Sequence, residues 1–210
     1  AGLAAEWMRH AGDTLTPYRC VFPEAPHTLE ALGMPGGRAW WPIDTLRLAA
    51  LVERYPVDAQ GLEQLQREHP AGIDEATDQL CEAVDAVIEG LPGNANPLVL
   101  GGFSQGAMLA MNASLRGAIP APKLLLLFSG ILISQHQWES NLARLAQTQV
   151  FQSHGRQDPL LPYASAEALA QWLDQHGVSI EFHAFTGGHT IDPASIAITA
   201  RMLSRVAETE

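Results

Sequence analysis

Pro97-Leu98-Val99-Leu100-Gly101-Gly102-Phe103-Ser104-Gln105-Gly106-Ala107 is the stretch that decides the fold. An apolar run of strand length leads into Gly102-Phe103-Ser104-Gln105-Gly106, a G-x-S-x-G pattern, and residues 107–116 read as a helix. Strand, tight turn and helix in that order lift a serine hydroxyl to the top of a sheet as a nucleophile. The flanking glycines have a steric reason. Strand and helix come so close at such a turn that a β-carbon at Gly102 or Gly106 is expected to clash. With ten serines and 18 glycines in 210 residues, an accidental match is expected about 0.07 times, so the pattern carries weight before its context is added.

Outward from this point the chain alternates apolar runs with amphipathic segments. Residues 18–22, 98–101, 123–128, 149–153 and 179–185 read as buried strands. Ile73, Ala76, Leu80, Val84, Val87 and Ile88 recur at helical spacing until Gly90 stops them. Ala166, Leu169, Trp172 and Leu173 repeat the pattern and end at Gly177, while Asp192-Pro193 opens a last helix with stripe Ile196, Ala200, Leu203 and Val206. The alternation predicts an α/β fold, with a mostly parallel sheet and helices on both faces. Residues 33–37 and 90–97 read as turns, and residues 56–70 as a short helix or flap. No segment has the length or composition of a linker, so residues 1–210 are expected to form a single domain.

Composition narrows the function. The chain is 47% hydrophobic and 17% charged, an ordinary globular balance. Its net charge is −11, and its 12 basic residues are scattered, which argues against nucleic acid and anionic membranes as partners. No apolar run approaches the ~20 residues of a membrane helix, and no signal-peptide pattern opens the chain. Cys20 and Cys81 lack a C-x-x-C partner, so both are expected as buried free thiols in a reducing cytoplasm.

A serine hydroxyl needs a base. On a scaffold with this elbow the partners follow as Ser, then Asp or Glu, then His. After Ser104 the histidines are His136, His154, His176, His183 and His189. His189 fits: it lies in a loop just past a strand, Thr186-Gly187-Gly188-His189-Thr190, where open α/β sheets present their sites, and it precedes the last helix. His176 ends a helix, and His183 sits inside a strand. His154 follows a strand and is expected to bond backbone near the acid loop. Of the acids, Asp158 in His154-Gly155-Arg156-Gln157-Asp158-Pro159 has the right context, although Asp-Pro also suits a turn or cap. Ser104, Asp158 and His189 thus form the candidate triad, with the backbone N–H of Gln105 as an oxyanion donor. Trp41 and Leu160 are candidate walls of an acyl pocket, each competing with plain core packing.

These segments resemble the carboxylesterase/phospholipase family of α/β hydrolases, the group that includes acyl-protein thioesterases. Residues 102–107 (GFSQGA), 155–162 (GRQDPLLP) and Gly187-Gly188-His189 match its three catalytic segments, and residues 21–27 (VFPEAPH) and 36–44 (GGRAWWPID) resemble an upstream block. Ser104, Asp158 and His189 fall on the family's triad positions. The resemblance implies the α/β-hydrolase fold and hydrolysis of carboxylic esters with short to medium acyl chains. Thioesters and lysophospholipids are the alternative substrates. It also implies no cofactor, a mostly cytoplasmic setting and compatibility with a homodimer. The family carries an upstream strand and a His-Gly loop that supplies a second oxyanion N–H. The sequence opens with Ala1-Gly2-Leu3-Ala4 and a helix-like Glu6-Trp7-Met8, so it is expected to begin just after that loop, with the first strand or strands missing here. A non-catalytic binding protein on a hydrolase scaffold is the competing reading. A peptidase or perhydrolase is a third.

Overall fold

A computed structural model of the chain describes residues 7, 9–10, 18–43, 58–91 and 97–208. In chain order the described elements are β1 (His27–Thr28), β2 (Arg38–Ala39), α1 (Ala59–Arg67), α2 (Ile73–Glu89), β3 (Val99–Phe103), α3 (Gln105–Arg116), β4 (Leu124–Phe128), α4 (Gln135–Glu139), β5 (Gln149–Gly155), α5 (Tyr163–Gln175), β6 (Ser179–Phe185) and α6 (Pro193–Glu208). Strands β3, β4, β5 and β6 form a parallel sheet in that order, and β1 and β2 form a separate antiparallel hairpin.

Strand β4 shows why the sheet is covered on both sides. All five of its residues, Leu124 to Phe128, are apolar and buried. Successive side chains point to opposite faces. Leu125 and Leu127 join one core with α2, α3 and α5, whereas Leu124, Leu126 and Phe128 join another with Phe151 and with Met202 and Leu203 of α6. Burying each such side chain stabilises by about 1.5–3 kcal/mol, so a strand apolar on both faces needs a helix layer on each.

Helix α3 is the most enclosed helix, with nine consecutive buried residues from Ala107 to Leu115. Its buried amide is bonded at both ends. Asn112 Nδ2 donates to Thr77 Oγ1 at 2.8 Å, and Trp138 Nε1 donates to Asn112 Oδ1 at 2.8 Å. The helix ends where Gly117 takes φ 86, a conformation open to glycine at little cost. The other expected boundaries hold closely: α2 stops at Gly90, α5 is followed by Gly177 with φ 76, and Asp192 Oδ1 accepts the Ser195 N–H at 3.1 Å to cap α6. Residues 56–70 contain α1, capped where Asp58 Oδ1 accepts the Gly61 N–H at 2.8 Å. Part of the expected 90–97 turn lies outside the described residues.

Two expectations fail. Residues 18–22 are not a strand; they pair with no strand among the described residues, and Val21 and Phe22 are each 49% exposed. A strand persists only when its backbone groups find a ladder. This segment instead hangs on the outside of the α6 layer, where Tyr18 Oη donates to the Leu203 carbonyl at 2.7 Å and the Phe22 ring lies 6.5 Å from that of Trp7. Tyr18 packs against the core between β4 and α6 without joining the sheet, while Val21 and Phe22 stay half-exposed. Cys20 is consequently exposed rather than buried, while Cys81 is buried as expected; both are free thiols. Among the described residues no helix is long and apolar enough to cross a membrane.

Candidate active site

The turn between β3 and α3 holds Ser104 at φ 57, ψ −120. Positive φ is uncommon for a residue with a β-carbon and costs about 1–3 kcal/mol unless the surroundings impose it. They do so here. The Ser104 N–H is fixed to the Phe128 carbonyl at 2.9 Å, and a β-carbon at Gly102 would collide with the Gly106 carbonyl. The second glycine differs from expectation. A β-carbon at Gly106 would meet only Trp40 Nε1, at an ordinary 3.5 Å, because that position points away from the strand. Gly102 therefore carries the tight approach, and Gly106 keeps space open beside the Trp40 indole.

Asp158 lies in the loop after β5 and its side chain is wholly buried. Oδ1 accepts the N–H groups of Leu160 and Leu161, both at 2.9 Å. Oδ2 lies 2.7 Å from His189 Nδ1. Burial alone would raise the carboxyl above its usual range, but the His189 bond and the Leu161 and Leu160 amides outweigh it and hold Asp158 below that range. Asp158 does not cap a helix, since α5 starts at Tyr163 with Pro162 in the capping position.

The histidine loop and the acid loop are laced together. Arg156 N donates to the Phe185 carbonyl at 2.8 Å, and Gln157 N to the Gly187 carbonyl at 2.9 Å. Gly155 is required for this approach, because a β-carbon there would strike the carbonyl oxygens of Gly187 and Gly188. From the other side, Ser129 Oγ donates to the Thr190 carbonyl at 3.1 Å. The His189 ring centroid sits 4.7 Å from that of Phe103, the residue before Ser104. Imidazole, carboxylate and elbow thus share one rim of the sheet. Ser104 Oγ is not hydrogen-bonded to His189 among the described residues; without substrate that contact is often long and tightens on binding.

Three of the other candidate histidines have partners of their own. His176 Nδ1 lies 2.7 Å from the Trp172 carbonyl at the end of α5. His183 Nε2 lies 3.2 Å from Asp192 Oδ2. His154 belongs to β5, which is two residues longer than expected, and its Nε2 lies 3.0 Å from the Leu161 carbonyl. Among the described residues no cluster of metal-ligating side chains forms.

Trp41 is buried in the core, and its carbonyl accepts from Gln105 Nε2 at 3.2 Å. Leu160 is partly exposed and meets the site through its backbone N–H to Asp158. Gln105 begins α3, so its N–H has no acceptor inside the helix. Its side chain is held at both ends, with Oε1 accepting the Trp40 N–H at 2.9 Å. Trp40, not singled out from sequence, lines a cavity of about 290 Å³ with Pro26, His27, Pro42 and Glu75. Two adjacent tryptophans gave no sign of which faces the core; only the β1–β2 hairpin that precedes them sets it.

A parallel sheet with helices on both faces and a serine on a strained strand-to-helix turn defines an α/β hydrolase. The phospholipase/carboxylesterase family pattern matches residues 4–207, and the chain belongs to that family. It is 30% identical over 198 residues to acyl-protein thioesterase 1 of Eremothecium gossypii, covering 90% of this chain and 74% of the relative. It is 25% identical to acyl-protein thioesterase 1 of Mycosarcoma maydis, covering 92% and 80%. Among solved structures it resembles esterase PE8, with TM-score 0.67, 26% identity and coverage of 88% and 76%. Arabidopsis thaliana SOBER1, with TM-score 0.68, 20% identity and coverage of 98% and 90%, shares the fold.

Proposed function

We propose that this chain is a serine carboxylesterase for esters of short to medium acyl chains, with Ser104 as nucleophile, His189 as base and Asp158 as orienting acid. The observation that carries the reading is the 2.7 Å contact of His189 Nδ1 with Asp158, on a ring packed beside Phe103 at the elbow. With the Nδ1 proton directed at the carboxylate, Nε2 is left as the basic nitrogen. Ser104 Oγ attacks the acyl carbon as its proton passes to Nε2. The C–O bond to the alcohol then breaks, and His189 delivers that proton to the departing oxygen. Water repeats the sequence on the acyl-enzyme, releases the carboxylic acid and restores Ser104. Asp158 stays ionised and steadies the imidazolium. The Gln105 N–H donates to the oxyanion, and its clamped side chain holds the helix start in place. Trp40, whose indole stands beside Gly106 at the elbow, is the wall that the acyl group would meet. The two free thiols fit a cytoplasmic setting.

The names of the two fungal relatives favour thioesters as a second reading. Parallel turnover of p-nitrophenyl butyrate and an S-butyryl thioester ranks the two. Ser104→Ala should abolish both reactions and block fluorophosphonate labelling; full activity in that variant removes the assignment.

A further inference from the structure

Asp158 Oδ2 is shared by two histidines. His189 Nδ1 lies at 2.7 Å and His154 Nε2 at 3.3 Å. His154 is wholly buried on β5, four residues before the carboxylate. We propose that His154 is a positioning residue, whose Nε2–H fixes the Asp158 carboxylate in the one orientation that serves His189. This rests on the reading of Asp158 and His189 given above.

The proton assignment follows from the partners. Nε2 faces two groups that only accept, the Leu161 carbonyl at 3.0 Å and Asp158 Oδ2 at 3.3 Å. Nε2 must therefore carry hydrogen, bonded to the Leu161 carbonyl, with its positive edge against Asp158 Oδ2. Burial, helped by the His189 charge, pushes the His154 pKa down against the pull of the Leu161 and Gly130 backbone bonds and the Asp158 charge, which favours the neutral ring; the Leu161 carbonyl then places its proton on Nε2.

A closed ring results. Leu161 presents its N–H to Asp158 Oδ1 and its carbonyl to His154, and His154 returns to Asp158 Oδ2. With the Leu160 N–H and His189 added, the carboxylate accepts three hydrogen bonds, two on Oδ1 and one on Oδ2, and His154 Nε2 stands against Oδ2 as a fourth polar contact. Without His154, Oδ2 faces His189 alone, and only the Leu160 and Leu161 N–H groups on Oδ1 hold the carboxylate from the other side. Because His154 is buried, it cannot reach a substrate and acts only through Asp158.

The test compares three variants by turnover per fluorophosphonate-titrated site and by the low-field proton resonance of the His189 Nδ1–H. His154→Leu should lower kcat by about 10- to 100-fold with KM little changed, because a misaimed base costs rate rather than binding. Its low-field resonance should shift or vanish. His154→Gln, whose amide N–H reaches where Nε2 stood, should recover most of the rate and the resonance. If the leucine variant does not fold, His154→Asn, polar but too short to reach Oδ2, takes its place with the same expected loss. Wild-type kcat and an unmoved resonance in His154→Leu or His154→Asn overturn the proposal, as does a glutamine variant no better than leucine. Asp158→Asn is measured alongside; if it keeps full activity, the reading of Asp158 as the orienting acid fails by itself, whatever His154 does.

Discussion

Gly155 and Gly188, one ending β5 and the other preceding His189, pass so close that a β-carbon on the first would strike the carbonyl oxygen of the second. This approach lets the acid loop and the histidine loop share backbone hydrogen bonds, and so brings Asp158 to His189 across 31 residues of chain.

Gly155→Ala should push the two loops apart. Overpacking of this kind costs about 1–3 kcal/mol in stability, and a displacement near 1 Å at the base costs about 100-fold in rate. Turnover of p-nitrophenyl butyrate should therefore fall far more than the melting temperature suggests. A variant with wild-type kcat/KM would show that the loops have room to spare.

Asp158→Asn removes the charge but nearly preserves shape. The amide can present its N–H to His189 and favour the wrong tautomer, so kcat should fall by about 10⁴-fold with KM nearly constant. Steady-state kinetics on a short-chain ester checks this.

Trp40→Ala should act on binding. The indole stands beside Gly106 at the elbow, so its loss is expected to raise KM for butyrate esters by about tenfold, with kcat less affected. Trp41→Ala, in contrast, should appear mainly as lost stability, because its side chain packs in the core. A chain-length series on both variants separates the roles.

Stability should decline with acid in two windows. His154 is held neutral with its pKa lowered, so the unfolded chain takes the proton first, and stability falls as pH drops below about 6.5. Asp158 is likewise lowered, so its contribution is full above about 3.9 and is lost as pH falls through its folded value. Urea midpoints at pH 7.5 and 5.0 should converge in His154→Gln relative to wild type. An identical decline in both would place the titration elsewhere.

Asn112→Leu leaves the Trp138 indole N–H without its acceptor and Thr77 Oγ1 without its donor, inside a closed core. Stranding these groups should destabilise by about 2–4 kcal/mol, read from denaturant unfolding.

Sequence alone determined the alternation of strands and helices, because periods of two and of three to four follow from local geometry. It singled out Ser104 as a candidate through the elbow glycines, and His189 and Asp158 as candidates through chain order and loop context. It also misread residues 18–22, since an apolar stretch does not say whether its partner is a strand or a helix face. Only the tertiary structure decided which tryptophan faces the cavity, that Gly155 rather than Gly106 is a second point of close approach, and that His154 shares a carboxylate with His189. Those facts depend on where separate elements pass one another. That is set by the packing of the whole sheet and its two helix layers, and no local pattern encodes it.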